Sequence, residues 1–338
     1  MSSFSIRRRQ ALAAFSSLAG LGAAGVAPLL TATSAQAQAH YPSQPVKWIV
    51  PYPAGGGSDV TARVVSEGMR ATLGQTIVID NRPGAGTIIG TQALTTSAPD
   101  GYTISTADSG TLAYNPSLYG KLPYDNDKSF AYVGGLARMP LVLVTRPELG
   151  VKTVKQLLEK AKADPGKLTY ASAGPGTPHH VAMEMFAQQT GIKLVHVPYK
   201  GAAPAVQDLM AGQVDLMMLD MPGGISFMKS GKLPMLAVAM PARVAQLPDV
   251  PTMTEAGVPD FVVFAWQGVV APAGTPPAVI QKLNADLTAA LRNPTVQAKM
   301  TELGVEPMPM PPAEFAAYAR HEADRWAKVI KTAGIRLD

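Results

Sequence analysis

No cysteine occurs among the 338 residues, so a disulfide framework, a thiolate nucleophile and a cysteine metal site are all excluded. Charge is sparse at 16%, and neither sign dominates, with 29 basic residues against 24 acidic ones. The only charged residues in positions 1–39 are three arginines, so residues 40–338 carry 26 − 24 = +2 over 299 positions. That balance, with no basic stripe interleaved with aromatics, gives no electrostatic case for nucleic acid. Beyond residue 39 there is no apolar run long enough to span a bilayer and no low-complexity segment. What the chain does have is 47% hydrophobic residues, 31 glycines and 30 prolines. That composition describes a folded protein rich in turns, long enough to bury a large core and to divide into two domains.

The first 39 residues read as a signal peptide. Arg7-Arg8-Arg9 supplies a charged start, an Ala/Leu/Gly-rich run follows, and Ala35-Gln36-Ala37-Gln38-Ala39 offers A-x-A cleavage sites after Ala37 or Ala39. The arginines before Gln10-Ala11-Leu12 partly resemble a twin-arginine signal, with Ala11 where Phe is usual, so Sec and twin-arginine export both stay open. Gly20, Gly22, Gly25 and Pro28 interrupt the apolar run and argue against a membrane anchor.

A strand–turn–helix grammar repeats along the rest. Val46–Val50, Thr76–Ile79, Tyr102–Ser105 and Leu141–Val144 read as strands, with helices expected from about Val60 to Leu73 and from Ile88 to Ser97. After Pro147 it restarts. Val154–Ala163, His179–Thr190 and Ala203–Ala211 are helix-like, and Leu168–Ala171, Leu194–Val197, Val214–Met218 and Met235–Ala239 are strand-like. Trp266–Ala271 looks like a return strand, and Pro276–Leu291 and Pro312–Thr332 like amphipathic helices. The alternation predicts an α/β fold with a mostly parallel sheet. The methionines between 210 and 253 are expected to fill core.

Two glycine turns stand out. Pro51-Tyr52-Pro53-Ala54-Gly55-Gly56-Gly57-Ser58-Asp59 joins a strand to a helix, and Ser172-Ala173-Gly174-Pro175-Gly176-Thr177-Pro178 does the same later. Consecutive glycines let backbone N–H groups converge, and a helix N-terminus adds positive potential, so such a turn can cradle an anion. The plainer reading of the first is a tight connection with Asp59 as helix N-cap. Both turns lie at carboxyl ends of strands, where α/β sheets bind ligands. If they face each other across a cleft, they form a clamp that closes by hinge motion.

Further blocks follow in a fixed order. They include Asn81-Arg82-Pro83-Gly84-Ala85-Gly86, Pro99-Asp100-Gly101-Tyr102-Thr103, Lys121-Leu122-Pro123-Tyr124-Asp125 and His196-Val197-Pro198-Tyr199-Lys200-Gly201. Asp208-Leu209, Gly212-x-Val214-Asp215, Pro248–Thr252, Glu255-Ala256-Gly257 and Ala271-Pro272-x-Gly274-Thr275-Pro276 complete the set. With the first turn, these blocks make the chain resemble the Bug (TctC-type) periplasmic receptors of tripartite tricarboxylate transporters across essentially all of residues 40–338. The resemblance implies a two-domain periplasmic-binding-protein (Venus-flytrap, type II) fold with a ligand cleft between the lobes. Domain 1 would comprise 40–145 plus about 258–338, and domain 2 about 146–257. It implies a monomeric periplasmic receptor for a small carboxylate (a di- or tricarboxylate, an amino acid or an aromatic carboxylate), serving a membrane permease or a sensor. No cofactor is expected. By position, the first turn gives Tyr52, Ala54, Gly55, Gly56, Ser58 and Asp59 as ligand-binding residues, and the second gives Ser172, Gly174, Gly176, Thr177 and His180. Ala173 and Pro175 depart from the common family wording, and Pro175 removes a backbone donor. Ser109 and Thr111, in Asp108-Ser109-Gly110-Thr111, are expected to face the cleft or cap a helix. Asp220 is expected to cap a helix, or to favour an amine- or hydroxyl-bearing ligand over a second carboxylate. Arg82 is read as structural.

Other chemistries fit less well. Gly84-x-Gly86-x-x-x-Gly90 misses the dinucleotide spacing. His180 and Glu184 could be half of a zinc site but have no second pair of suitable spacing. Ser58, Ser109 and Ser172 lie in turns, but none stands in G-x-S-x-G, so an exported metal-dependent or serine hydrolase using the same cleft is the alternative rather than the expectation.

Overall fold

The first strand, β1 (Val46–Val50), is buried at every position except Lys47 and anchors one half of a sheet in a computed structural model that describes residues 41–337. The expected signal peptide and its cleavage points lie outside the described residues. β1 lies parallel between β2 (Ile77–Asn81) and β3 (Thr103–Asp108). Helix α1 (Gly57–Leu73) leaves the first glycine turn, and α2 (Ile88–Thr95) crosses from β2 towards β3.

After β3 a single π-helical turn (Gly110–Tyr114) runs into the short α3 (Asn115–Leu118), and then into the 16-residue β4 (Phe130–Thr145). The second half follows as α4 (Val154–Ala163), β5 (Thr169–Ser172), α5 (Pro178–Thr190), β6 (Val195–Pro198), α6 (Ala202–Met210) and β7 (Leu216–Asp220). Helix α7 (Met221–Lys229) and β8 (Met235–Val238) precede the return strand β9 (Phe264–Pro272). The chain closes with α8 (Pro277–Arg292), α9 (Pro294–Glu302), β10 (Glu306–Met310) and α10 (Pro312–Ala333).

Among the described residues the strands join in the order β2-β1-β3-β9-β4-β7-β5-β6, with β8 and β10 also on β4. The sheet is mixed rather than mostly parallel. The crossover units β2-β1-β3 and β6-β5-β7 are parallel, but every pairing of β4 and the β3–β9 pairing is antiparallel. The return strand causes this, because β9 enters between β3 and β4 from the opposite direction. β4 itself changes partners: residues up to Pro140 pair with β9, and Leu141–Thr145 pair with β7 and β8.

The expected helices and strands are present, most within a few residues of their expected bounds, but β4 begins at Phe130 rather than at Leu141, and four further elements appear, α3, α7, α9 and β10. Two of them are short and proline-interrupted, and their apolar period is weak. Met217, Met218, Met221, Met228 and Met253 are buried core, as expected. Glu322 on α10 is buried too, and it accepts the indole N–H of both Trp266 (3.3 Å) and Trp326 (3.1 Å), which satisfies its carboxylate.

Candidate functional site

Both glycine turns are carried by strand ends, and the structure brings them to the same place. A mouth cavity of about 190 Å³ is lined by Pro51–Pro53, by the Pro83–Thr87 loop, by Gly174, Pro175 and Thr177, and by Pro198–Gly201. Behind it lies an inner cavity of about 30 Å³, which shares Tyr52, Pro53 and Ala173 and adds Gly56, Gly57, Ser58, Asp108, His179, Asp220 and Gln267. The walls touch across this space. A Cβ on Gly201 would strike Pro53, one on Gly86 would strike the Pro175 carbonyl, and one on Gly57 would strike the Asp220 carboxylate. The cleft is therefore closed tightly, and glycine is required where the two sides meet.

The first turn departs from expectation at its cap. Helix α1 begins at Gly57 with Gly56 as its N-cap, and no side chain caps it. Asp59 instead reaches back from the first turn of the helix. Its carboxylate accepts from Gly55 N (2.9 Å), Asn81 Nδ2 (2.9 Å) and Arg63 Nε (3.0 Å), holding the loop from behind. Burial alone would raise the Asp59 pKa, but hydrogen bonds from Arg63, Gly55 and Asn81 outweigh it and hold the carboxyl below its ordinary value. Asp59, Ala54 and Gly55 line neither cavity, whereas Tyr52, Gly56 and Ser58 do.

The second turn rests on a stack of rings. His180 and His196 lie 4.2 Å apart between ring centres, and Tyr170 stacks on His196 at 4.8 Å. Gly176 N donates to His180 Nδ1 (3.3 Å), and Ser172 Oγ lies 2.7 Å from His196 Nε2. Burial pushes both imidazoles down to about 4, and for His196 the neighbouring His180 adds to this. His180, Ser172 and Gly176 support the turn from beneath and line neither cavity, while Gly174 and Thr177 line the mouth. Tyr170 also bonds Glu184, so the His180–Glu184 pair flanks a tyrosine. Among the described residues no group of three or more His, Cys, Asp or Glu is disposed to hold a metal ion.

Asp108 and Asp220 are the two acids of the inner cavity. Asp108 accepts from Tyr52 Oη (2.5 Å) and from the backbone N–H (2.8 Å) and hydroxyl (2.9 Å) of Thr111. Burial pushes its pKa up, and these hydrogen bonds offset only part of that. Thr111 holds Asp108 and Thr87, and Ser109 is buried, but neither lines a cavity. Asp220 caps α7 through Gly223 N (2.7 Å) and lies 2.7 Å from His179 Nε2. Arg82 pairs with Asp80 at 2.9 Å on the surface and lies outside both cavities. Gly57, His179 and Gln267 also line the inner cavity, although none of them is among the ligand-binding residues expected from sequence. Gln267 has a visible signal, being the one polar side chain in the run from Phe264 to Pro272.

A cleft between two halves of an α/β sheet, with a glycine turn from each side at its walls, defines the two-lobed periplasmic-binding-protein fold. The chain belongs to the Tripartite tricarboxylate transporter family receptor (TctC) family, whose sequence pattern matches residues 61–335. Its structure is similar to that of the periplasmic binding protein BugD, at 38% identity and a TM-score of 0.85, over 88% of this chain and 99% of that one. It is also similar to Rpa4515 of R. palustris with adipate (34% identity, TM-score 0.86), over 88% and 99% of the two chains. MatC of Rhodopseudomonas palustris with bound malate is similar at 33% identity and a TM-score of 0.82, over 86% and 100%. The protein is a solute-binding receptor of the TctC/Bug type.

Proposed function

We propose that this receptor captures a small carboxylate-bearing solute between its two glycine turns and holds it by closure of the lobes. One observation supports this most. The N-termini of α1, α5 and α6 carry no side-chain cap, and all three reach the two cavities, through Gly57 and Ser58, Pro178 and His179, and Gly201 and Ala202. Each helix end is equivalent to about half a positive charge, and each leaves backbone N–H groups without partners inside the helix. Three such ends at one point make an anion site that needs no arginine. Adipate and malate, held by the two Rhodopseudomonas relatives, are both carboxylates.

The lobes are read as 40–145 with about 258–338, and about 146–257. Support comes from β4, which changes partners between Pro140 and Leu141, and from β9, which begins at Phe264 on the way back. Strands that serve both halves are natural hinges. Export of the chain, with residues 1–39 as signal, would place it in the periplasm as a monomer that delivers solute to a tripartite permease or a sensor. A hydrolase in the same cleft is disfavoured by Ser172. Its hydroxyl meets His196 but also Gly174 N and O (both 3.1 Å), and it lies outside both cavities.

A thermal-shift screen against mono-, di- and tricarboxylates, amides, nucleotides and Zn²⁺ tests the reading. A carboxylate at ~100 times its Kd should stabilise the protein by about 2.7 kcal/mol. A response confined to metal or nucleotide would sink it.

A further inference from the structure

The acidic side chains of the inner cavity have the wrong charge to receive a second carboxylate. The charged and titratable lining of this cavity consists of Asp108, Asp220 and His179, with Tyr52 beside them and neither lysine nor arginine. Asp108 is fully engaged by Tyr52 and Thr111. Among the described residues Asp220 receives only Gly223 N and His179 Nε2, while a carboxylate offers about four acceptor sites. Next to these acids, Gln267 is 97% buried and gives its NH2 group to Ser58 Oγ at 2.6 Å. Its Oε1 has no hydrogen-bond partner among the described residues. A buried carbonyl oxygen without a donor is rare and marks a place where a donor belongs.

The mouth differs in its side chains, with Lys200 and no acid among the described residues of its walls. Acidic side chains are thus confined to the inner cavity, where they stand beside the helix starts at Gly57, His179 and Ala202. A cavity of about 30 Å³ holds a group the size of one or two waters, which suits an ammonium group. Resting on the carboxylate reading above, we propose that the ligand is an amino carboxylate whose nitrogen enters the inner cavity and donates to Asp220 and Gln267 Oε1. A dicarboxylate of the same length would bring a second negative charge against Asp220 in a site shielded from water, where like charges repel strongly. Asp220 is then the residue that selects for the amine, in addition to capping α7.

Titration calorimetry on the purified protein with matched series of three to six carbons tests this. Each series compares the unsubstituted monocarboxylate, its amino derivative and the dicarboxylate, for example butanoate, 4-aminobutanoate and succinate. The amino carboxylate of the best length should bind at least tenfold tighter than the dicarboxylate. Asp220→Asn keeps a good helix cap, so the fold should survive. It should remove most of that preference while leaving the unsubstituted acid within threefold. Gln267→Met should weaken the amino carboxylate but not the unsubstituted acid. Equal or tighter binding of the dicarboxylate overturns the inference and leaves the carboxylate reading intact, as does a Gln267→Met loss confined to the dicarboxylate. Absence of binding by any acid, with or without nitrogen, overturns both.

Discussion

Asp220 Oδ2 lies 2.7 Å from His179 Nε2, and both side chains are almost wholly buried at the wall of the inner cavity. The other oxygen of Asp220 caps α7, so one carboxylate fixes a helix start, an imidazole and the shape of the cleft. Asp220→Ala should remove the cap, worth about 1 kcal/mol, and strand His179, worth about 1–3 kcal/mol more. Asp220→Asn should lose less than half of that in urea unfolding. Equal losses for the two variants would contradict the capping role.

Gly57 is the tightest glycine of the first turn. A Cβ there meets Asp220 and Pro222 from the facing side, whereas a Cβ on Gly56 meets only the Pro53 carbonyl at 3.7 Å. Gly57 already has helical geometry, so alanine suits its backbone. Gly57→Ala should therefore leave unfolding of the ligand-free protein within about 1 kcal/mol of the parent, yet weaken ligand binding more than tenfold by holding the cleft ajar. Calorimetry showing unchanged affinity would exclude this contact from closure.

Asp59 holds the first turn without lining either cavity. Asp59→Ala should cost about 2–4 kcal/mol through loss of charge-assisted hydrogen bonds from Gly55, Asn81 and Arg63, while affinity falls less than tenfold. A hundredfold loss of affinity in a stably folded variant would place Asp59 on the ligand instead. Its depressed pKa gives the sign of the pH effect. The stabilisation is present above the ordinary value of 3.8 and fades as pH falls below it.

Much of this was legible from residues. The strand–glycine–helix order located both turns, because glycine positions and apolar strand runs are local signals. The burial of most methionines between 210 and 253 followed from their scattered spacing, which suits core filling better than a thioether metal site. What stayed hidden depends on contacts between distant segments. Asp59 looks like an N-cap, yet the cap is Gly56, three residues earlier, and the Asp59 carboxylate is held by Gly55 N and by Asn81 on the neighbouring strand. His180 looks like a ligand contact, yet it stacks on His196 beneath the turn, 16 positions along the chain (196 − 180). Gln267 enters the site from the far end of the sequence, through the antiparallel pairing of Asp108 with Gln267. No period or motif encodes such an approach.

The ring stack makes the second turn acid-sensitive. His180 and His196 are held at about 4 in the fold, below their ordinary 6.5, so the unfolded chain binds more protons between these values. Their contribution is complete above about 6.5 and is lost as pH falls from 6.5 towards 4. Tm should drop over that window, and His196→Phe, which keeps a ring in the stack, should make the drop shallower. An unaltered slope in His196→Phe would show that the stack does not govern it.

Hydrogen–deuterium exchange with and without a carboxylate selected by the thermal-shift screen tests the central claim most directly. Slowed exchange is expected together at the N–H groups of residues 56–59, of Gly174, Gly176, Thr177, His179 and His180, and of residues 201–203, where α1, α5 and α6 begin. Slowed exchange at only one of these starts, or at none of them while the ligand is bound, would contradict a carboxylate gripped between the two turns.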